Sequence, residues 1–158
     1  MCIRDSVYGA RQAPERIPVS EGVGEVIAVG AGVDNLKPGD RVVCGHFPSW
    51  LDGEFRPDVF AHDIGISHDG WLAERVVLPA AAVIQVPASL ADRDVAALAS
   101  AGLTAWNALV EVCKVKPGEL VLCLGTGGVS LAALKLARLR GARVAITSSS
   151  DEKLQICL

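Results

Sequence analysis

Six consecutive residues, Gly125-Thr126-Gly127-Gly128-Val129-Ser130, put three glycines where an apolar run gives way to a helix-like one. Gly125 suits a tight turn, and Gly127 lets the backbone approach a pyrophosphate. The N–H groups and dipole of a following helix would favour that anion. The sequence departs from the dinucleotide-binding fingerprint at its sixth place, where Ser130 stands for Gly or Ala. A side chain that small still allows close packing of strand on helix. No Gly-Lys-Ser/Thr follows, which sets aside a P-loop. On the pattern alone, a glycine turn without any ligand stays open. The candidate phosphate cradle is Gly125, Thr126, Gly127, Gly128 and Val129.

About 20 residues further on, a site that prefers NAD places an acid on the ribose 2′-hydroxyl. Here the text reads Ile146-Thr147-Ser148-Ser149, with no acid. Asp151 and Glu152 follow slightly later, and Ser149 with Glu152 fits a capping box, Ser149 as N-cap and Glu152 at N3. Small hydroxyls at Ser148 and Ser149, with Lys153 nearby, would tolerate a 2′-phosphate. The expected cofactor is therefore NADP(H) rather than NAD(H), although Lys153 also reads as a solvated helix charge.

Other reactive side chains are scattered. His46, Phe47 and Trp50 fall in one loop and could line a substrate site or pack their rings on the domain. His62-Asp63 and His68-Asp69 are the one grouping that invites a metal, but no further ligand follows at metal-site spacing. The five cysteines are dispersed, odd in number and without a CxxC, so neither a disulfide framework nor a zinc knuckle is signalled, as suits a reducing cytosol.

These residues need elements to hold them. Strand-like text covers residues 24–30, 75–78 and 83–86, the last two stopped by Pro79 and Pro87. Lys37-Pro38-Gly39-Asp40 and Lys116-Pro117-Gly118-Glu119 each read as a type II turn leading into a strand. Residues 46–70 form a long loop rich in Pro, Gly and Asp. A helix starts near Ser89, and a second spans residues 104–113. Then come a strand over 120–124, the glycine turn, a helix over 129–140 closed by Gly141, and a strand over 143–147. That is a βαβ unit with the apolar character of a buried parallel sheet. The boundary near Pro87 separates a β domain, residues 7–87, from the start of an α/β domain, residues 88–158.

The chain has 158 residues, 51% hydrophobic and 21% charged, so it reads as globular rather than disordered. Its net charge of −3 and pI near 5.6 lack the basic footprint of a nucleic-acid binder. The longest uncharged run, residues 95–110, reads as too short and too polar to cross a membrane. No signal peptide is visible, because charges break up the N-terminus. Met1–Ser6, "MCIRDS", back-translates to something like a transposon end from a sequencing library. It is treated as a non-native prefix, and Cys157-Leu158 can be read as the start of the reverse complement.

With "IPVSEGVGEVIAVGAGVDNLKPGDRVV", "DGWLAERVVLP" and "ALASAGLTAWNALVEVCKVKPGELVLCLGTGGVSLAALKLARLRGARVAITSSSDEKL", the chain resembles the medium-chain dehydrogenase/reductase superfamily. The resemblance implies an N-terminally truncated GroES-like β domain followed by the first half of a Rossmann domain: α/β plus β. It implies hydride transfer involving nicotinamide, with Thr104 beside the cofactor, and a parent enzyme that is a cytoplasmic dimer or tetramer. Zinc enzymes of the superfamily carry His-Glu where this chain reads Ser20-Glu21, and Cys where it reads Ser100. Neutral serine is a poor zinc ligand, and the loop after Cys44 lacks a cysteine quartet, so a zinc-independent branch is expected. The substrate class is an alcohol or carbonyl compound, with a quinone or enone as the alternative. A cofactor-binding protein without turnover, or an inactive fragment, is the reading of another class. No residue stands out as the general acid.

Overall fold

The computed structural model describes residues 15–157. The expected prefix Met1–Ser6, Val7 and Leu158 lie outside the described residues. Backbone contacts divide the chain into two units, Met1–Ala99 and Ser100–Leu158. The division falls later than the expected boundary at Pro87 for a local reason. Arg41 donates from Nε to Asp92 Oδ1 at 2.9 Å and from a terminal nitrogen to the Leu90 carbonyl at 2.9 Å, which tethers residues 90–92 to the β unit.

The first unit contains an antiparallel sheet in the order β1 (Val23–Glu25), β2 (Arg41–Cys44), β3 (Val83–Gln85). Val43 pairs with Val23 on one side and Ile84 on the other. Alternation along β2 buries Val42 and Cys44, and Val59 and Ile64 from the long loop are buried in the same unit. The turn before β2 is type II as expected: Gly39 has φ +93°, and Asp40 N–H donates to the Lys37 carbonyl at 3.1 Å. Asp40 Oδ2 also accepts the Lys37 N–H at 3.0 Å.

Two expected strands differ. Over 24–30 only the start joins the sheet, and the chain turns away through Gly32 at φ +80°. Residues 75–78 form no strand, and Val77 is fully exposed. β-branched sequence makes a strand only where a neighbour supplies pairing and cover, and no described segment pairs with these residues. The long loop contains a 3₁₀ turn, Pro57–His62.

Helix α1 (Asp92–Val95) starts with Ala91 as N-cap, two residues after the expected Ser89. A wide-turn π segment, Leu98–Gly102, precedes α2 (Leu103–Trp106), and a second, Asn107–Val112, follows it where regular helix was expected. The run Asp92–Val112 has 21 residues and a most apolar window of mean hydropathy 1.4. Its length and composition thus fit a membrane-crossing helix, a correction to the expected shortness. It continues beyond the uncharged core of 95–110 at both ends, taking in Asp92, Arg93, Asp94 and Glu111.

In the second unit β4 (Leu120–Cys123) and β5 (Arg143–Ile146) pair in parallel, Leu120 with Arg143 through Cys123 with Ile146. They are joined by α3 (Gly128–Leu139), and α4 (Asp151–Cys157) follows. The core is Leu109, Val115, Ala137 and Ala142, with Val121 and Val144 packed on it. The turn before β4 repeats the earlier device. Gly118 has φ +84°, Glu119 N–H donates to the Lys116 carbonyl at 3.3 Å, and Glu119 Oε2 accepts the Lys116 N–H at 2.8 Å.

Candidate functional site

The glycine turn lies between the end of β4 and the start of α3, as its sequence requires. Gly125 takes φ +79°, a conformation that glycine adopts without steric cost. Gly127 is the N-cap of α3 in extended conformation and has no side chain to cap the helix. The first N–H groups of α3 therefore have no intrahelical acceptor and point out of the helix end. A Cβ built on Gly125 or Gly127 would meet nothing within 4 Å. The backbone is thus open to close approach by another molecule at both positions. Gly128 is different: its Cβ would lie 3.4 Å from Ala101 Cβ, so this glycine serves the packing of the segment before α2 on α3. These features fit the pyrophosphate of a dinucleotide, held by backbone N–H groups at a helix N-terminus.

Two hydroxyls that sequence reasoning did not assign complete the turn. Ser130 Oγ donates to the Leu124 carbonyl at 3.1 Å, and Thr147 Oγ1 accepts the Gly125 N–H at 3.1 Å. Serine at the sixth place of the fingerprint thus has a structural task that Gly or Ala could not perform. Its departure from the pattern was the visible signal.

Beyond β5, the expected capping box is shifted. Helix α4 begins at Asp151, so Ser150 rather than Ser149 is the N-cap, and Lys153 N–H donates to Ser150 Oγ at 3.4 Å. Glu152 is consequently at N2. The shift follows from a local turn in which Ser150 N–H donates to Ser148 Oγ at 3.2 Å and holds residues 148–150 outside the helix. Ser149 and Lys153 are exposed, Ser148 is half-buried, and no carboxylate stands at the end of β5 before Asp151. Thr104 is exposed on α2, which packs against α3, one turn on from Ala101.

In the first unit the long loop gathers all three phenylalanines of the chain with one tryptophan. Phe47 and Phe60 meet edge to face at 5.5 Å, as do Trp50 and Phe55, and Phe55 meets Phe60 at 5.6 Å. Trp50, Phe55 and Phe60 nonetheless remain 37–55% exposed. His46 stacks on Phe47 at 4.5 Å, and its Nε2 faces Oδ2 of the buried Asp63 at 3.9 Å. Asp63 anchors its own loop: Oδ1 accepts the Ser67 N–H at 2.8 Å and also the Ser67 hydroxyl. Burial pushes the His46 imidazole below its usual pKa, while the charges of Asp63 and then Glu21 oppose that shift. His62 and His68 stack with Nδ1 and Nε2 at 3.2 Å. Among the described residues, no group of three or more His, Cys, Asp or Glu side chains is placed to hold a metal ion.

Residues 1–88 match the alcohol dehydrogenase GroES-like domain family, more than half of the chain. The chain belongs to the medium-chain dehydrogenase/reductase superfamily. Among superfamily relatives, a zinc-type alcohol dehydrogenase-like protein of Schizosaccharomyces pombe is 46% identical over 143 residues, covering 88% of this chain and 41% of the relative. A solved Sinorhizobium meliloti protein assigned to the alcohol dehydrogenases is 42% identical with a TM-score of 0.84, covering 94% of this chain and 44% of that one. A solved NAD-dependent alcohol dehydrogenase is 35% identical with a TM-score of 0.79, covering 92% and 45%. This member therefore spans less than half the length of these relatives. Its fold class is the expected one, a GroES-like β domain followed by α/β structure of the Rossmann type.

Proposed function

We propose that the protein carrying this sequence is an NADP(H)-linked oxidoreductase that interconverts an alcohol and a carbonyl compound without catalytic zinc. The observation that carries the reading is the pairing of an open glycine turn at the N-terminus of α3 with an acid-free end of β5. The nicotinamide, when bound, supplies or takes up a hydride. The chain's own residues bind and orient. Gly125, Thr126, Gly127, Gly128 and Val129 cradle the pyrophosphate through backbone N–H groups. Ser148, Ser149 and Lys153 receive the adenosine 2′-phosphate, which an acid at that place would repel. Thr104 contacts the nicotinamide half.

Absence of zinc is supported by Ser20 and Ser100, because a catalytic zinc takes three ligands from Cys, His and carboxylate side chains. The zinc-type designation belongs to the S. pombe relative, and the NAD dependence to the solved enzyme. Carbonyl polarisation then falls to hydrogen-bond donors in the site. The same reading has the full protein act on small molecules in the cytoplasm as a homo-oligomer, without nucleic-acid or membrane partners. It has residues 1–158 alone inactive.

Fluorescence titration of the full-length protein with NADPH and NADH tests the reading. Tighter binding of NADPH is expected. Binding of neither cofactor would defeat it, and tighter NADH would reverse the 2′-phosphate assignment. Turnover of ketones and aldehydes in preference to quinones and enones distinguishes carbonyl from C=C reduction.

A further inference from the structure

We propose that the groove between α3 and α4 binds a small anionic amphiphile, an acyl chain ending in a carboxylate. The groove lies within the second unit alone, on a face that the oxidoreductase reading leaves unused. It follows from α3 being apolar on two sides. Ala133, Leu136 and Ala137 pack into the core with Val121 and Val144. Leu131, Leu134 and Arg138 follow one another at spacings of three and four residues, with Lys135 beside them. At about 100° per residue, that row faces away from Ala133 and Ala137. A helix at the surface of a globular unit needs one apolar stripe for the core, so the second calls for a partner of its own.

The second side borders a concave surface. It is lined from α3 by Leu131, Leu134 and Leu139 and from α4 by Ile156, and it encloses about 640 Å³. Leu139 is 83% exposed and Ile156 80%. Large apolar side chains left open within one depression mark a binding surface, unlike apolar residues scattered singly. The volume sets the size of the occupant. Small-molecule sites span roughly 300–1,000 Å³, so the groove fits one small molecule.

Charge sets its chemistry. Lys135 and Arg138 also line the groove, and no acidic residue does. Both are exposed, and among the described residues neither pairs with a carboxylate. Long basic side chains can lay their stems on apolar surface and keep their charged heads in water. A carboxylate joined to an alkyl chain matches this arrangement at both ends. The chain is withdrawn from water against the leucines and Ile156, while the carboxylate meets an ammonium and a guanidinium able to bond both of its oxygens. A neutral alkyl compound would leave the cations unused, and an inorganic anion would leave the leucines wet.

The test uses the full-length protein and dodecanoate at micromolar concentration, where it is monomeric. Isothermal titration should show saturable binding. Dodecanol and dodecyltrimethylammonium, which offer no anion, should bind roughly tenfold more weakly or worse. Lys135→Gln combined with Arg138→Gln should weaken dodecanoate binding to a similar degree, and so should Leu139→Glu, which puts a like charge in the groove. Lys135→Arg, which keeps the charge, should bind as the wild type does. Amide hydrogen exchange should slow on dodecanoate addition within Gly128–Leu139 and Asp151–Cys157. If a variant does not fold, the ligand series and the exchange pattern of the wild type decide. Absence of saturable binding overturns the proposal, as do equal binding of the three amphiphiles and undiminished binding in the variants. A protein that binds no dodecanoate and changes oligomeric state in Leu139→Glu also overturns it, because the groove would then be a contact between copies. Failure to bind NADPH defeats the oxidoreductase reading and leaves this proposal standing.

Discussion

Ser130 Oγ bonds the Leu124 carbonyl at 3.1 Å, so the first turn of α3 is tied to the last residue before the glycines. On the other side the Gly125 N–H donates to Thr147 Oγ1, just past β5. The turn is therefore braced from helix on one side and strand on the other.

Replacing Ser130 by Ala should remove one brace and cost about 1 kcal/mol of stability, the usual net value of such a bond. Denaturant unfolding of the full-length variant measures this. NADPH affinity should fall with it, because the N–H groups of the turn lose their fixed direction. Unchanged stability and affinity would show that the brace is idle.

Gly127 and Gly125 should separate binding from folding. Gly127 has φ −78° and open space around a Cβ. Gly127→Ala should leave stability within about 1 kcal/mol and lower NADPH affinity, since the methyl group would occupy the space offered to the pyrophosphate. Gly125→Ala forces a left-handed alanine and should cost about 1–2 kcal/mol. Parallel calorimetry and fluorescence titration would expose the reverse pattern.

Ser148→Asp should turn the cofactor preference. The new carboxylate can still accept the Ser150 N–H that Ser148 Oγ accepts at 3.2 Å, so the local turn survives. It would face a 2′-phosphate with like charge, which costs several kcal/mol at close range, so NADPH binding should weaken roughly tenfold or more. NADH binding should hold or improve. Equal loss of both cofactors would argue against a ribose at this place.

The pH dependence of stability should fall off on both sides. Burial lowers the His46 pKa in the folded state, so the unfolded chain binds the proton more readily and stability drops as pH falls below the usual histidine range. Burial pushes the Cys44 thiol from 9.0 up to about 11. Its contribution is complete below pH 9.0 and is lost as pH rises through about 11. Thermal melts across pH check both limbs, and Cys44→Ala should flatten the alkaline one. A thiol reagent should modify the exposed Cys113 and spare Cys44 and Cys123, which are buried.

Residues 1–158 expressed alone should lack a sharp unfolding transition. Leu120 and Leu122 of β4 and Leu124 just past it are 60–74% exposed, in a sheet of two strands among the described residues. Two strands with an uncovered apolar face are marginal in water. Calorimetry of this chain should show a broad, weak transition without stabilisation by NADPH; a cooperative melt that rises with cofactor would contradict it.

Much of this fold is written locally. Pro-Gly with an acid next to it names both turns, and the βαβ unit is legible because glycine, apolar run and Gly141 punctuate it at short range. Two departures depended on partners distant in sequence. Residues 75–78 have strand composition but no neighbouring strand among the described residues. Arg41 draws residues 90–92 into the β unit across about fifty positions. The capping shift turned on one side-chain bond, Ser150 N–H to Ser148 Oγ, which competes with helix start at equal composition. In the candidate site, the glycine turn between strand and helix could be read from glycine spacing. The facing of His46 and Asp63 could not, since they are seventeen residues apart in a loop without periodicity.

The two acid-closed Pro-Gly turns bear on how the chain folds as well as on its final form. Each is complete within four residues, Lys37–Asp40 and Lys116–Glu119, and needs no distant segment to form. Contacts of such short loop length cost little closure entropy and can appear early. The second turn also meets its distant partner: Gly118 N–H donates to the Gly141 carbonyl at 2.9 Å, and Arg143 N–H to the Glu119 carbonyl at 2.7 Å. A turn that closes on its own residues thus gives the returning chain a fixed landing point, the place where β5 comes in beside β4.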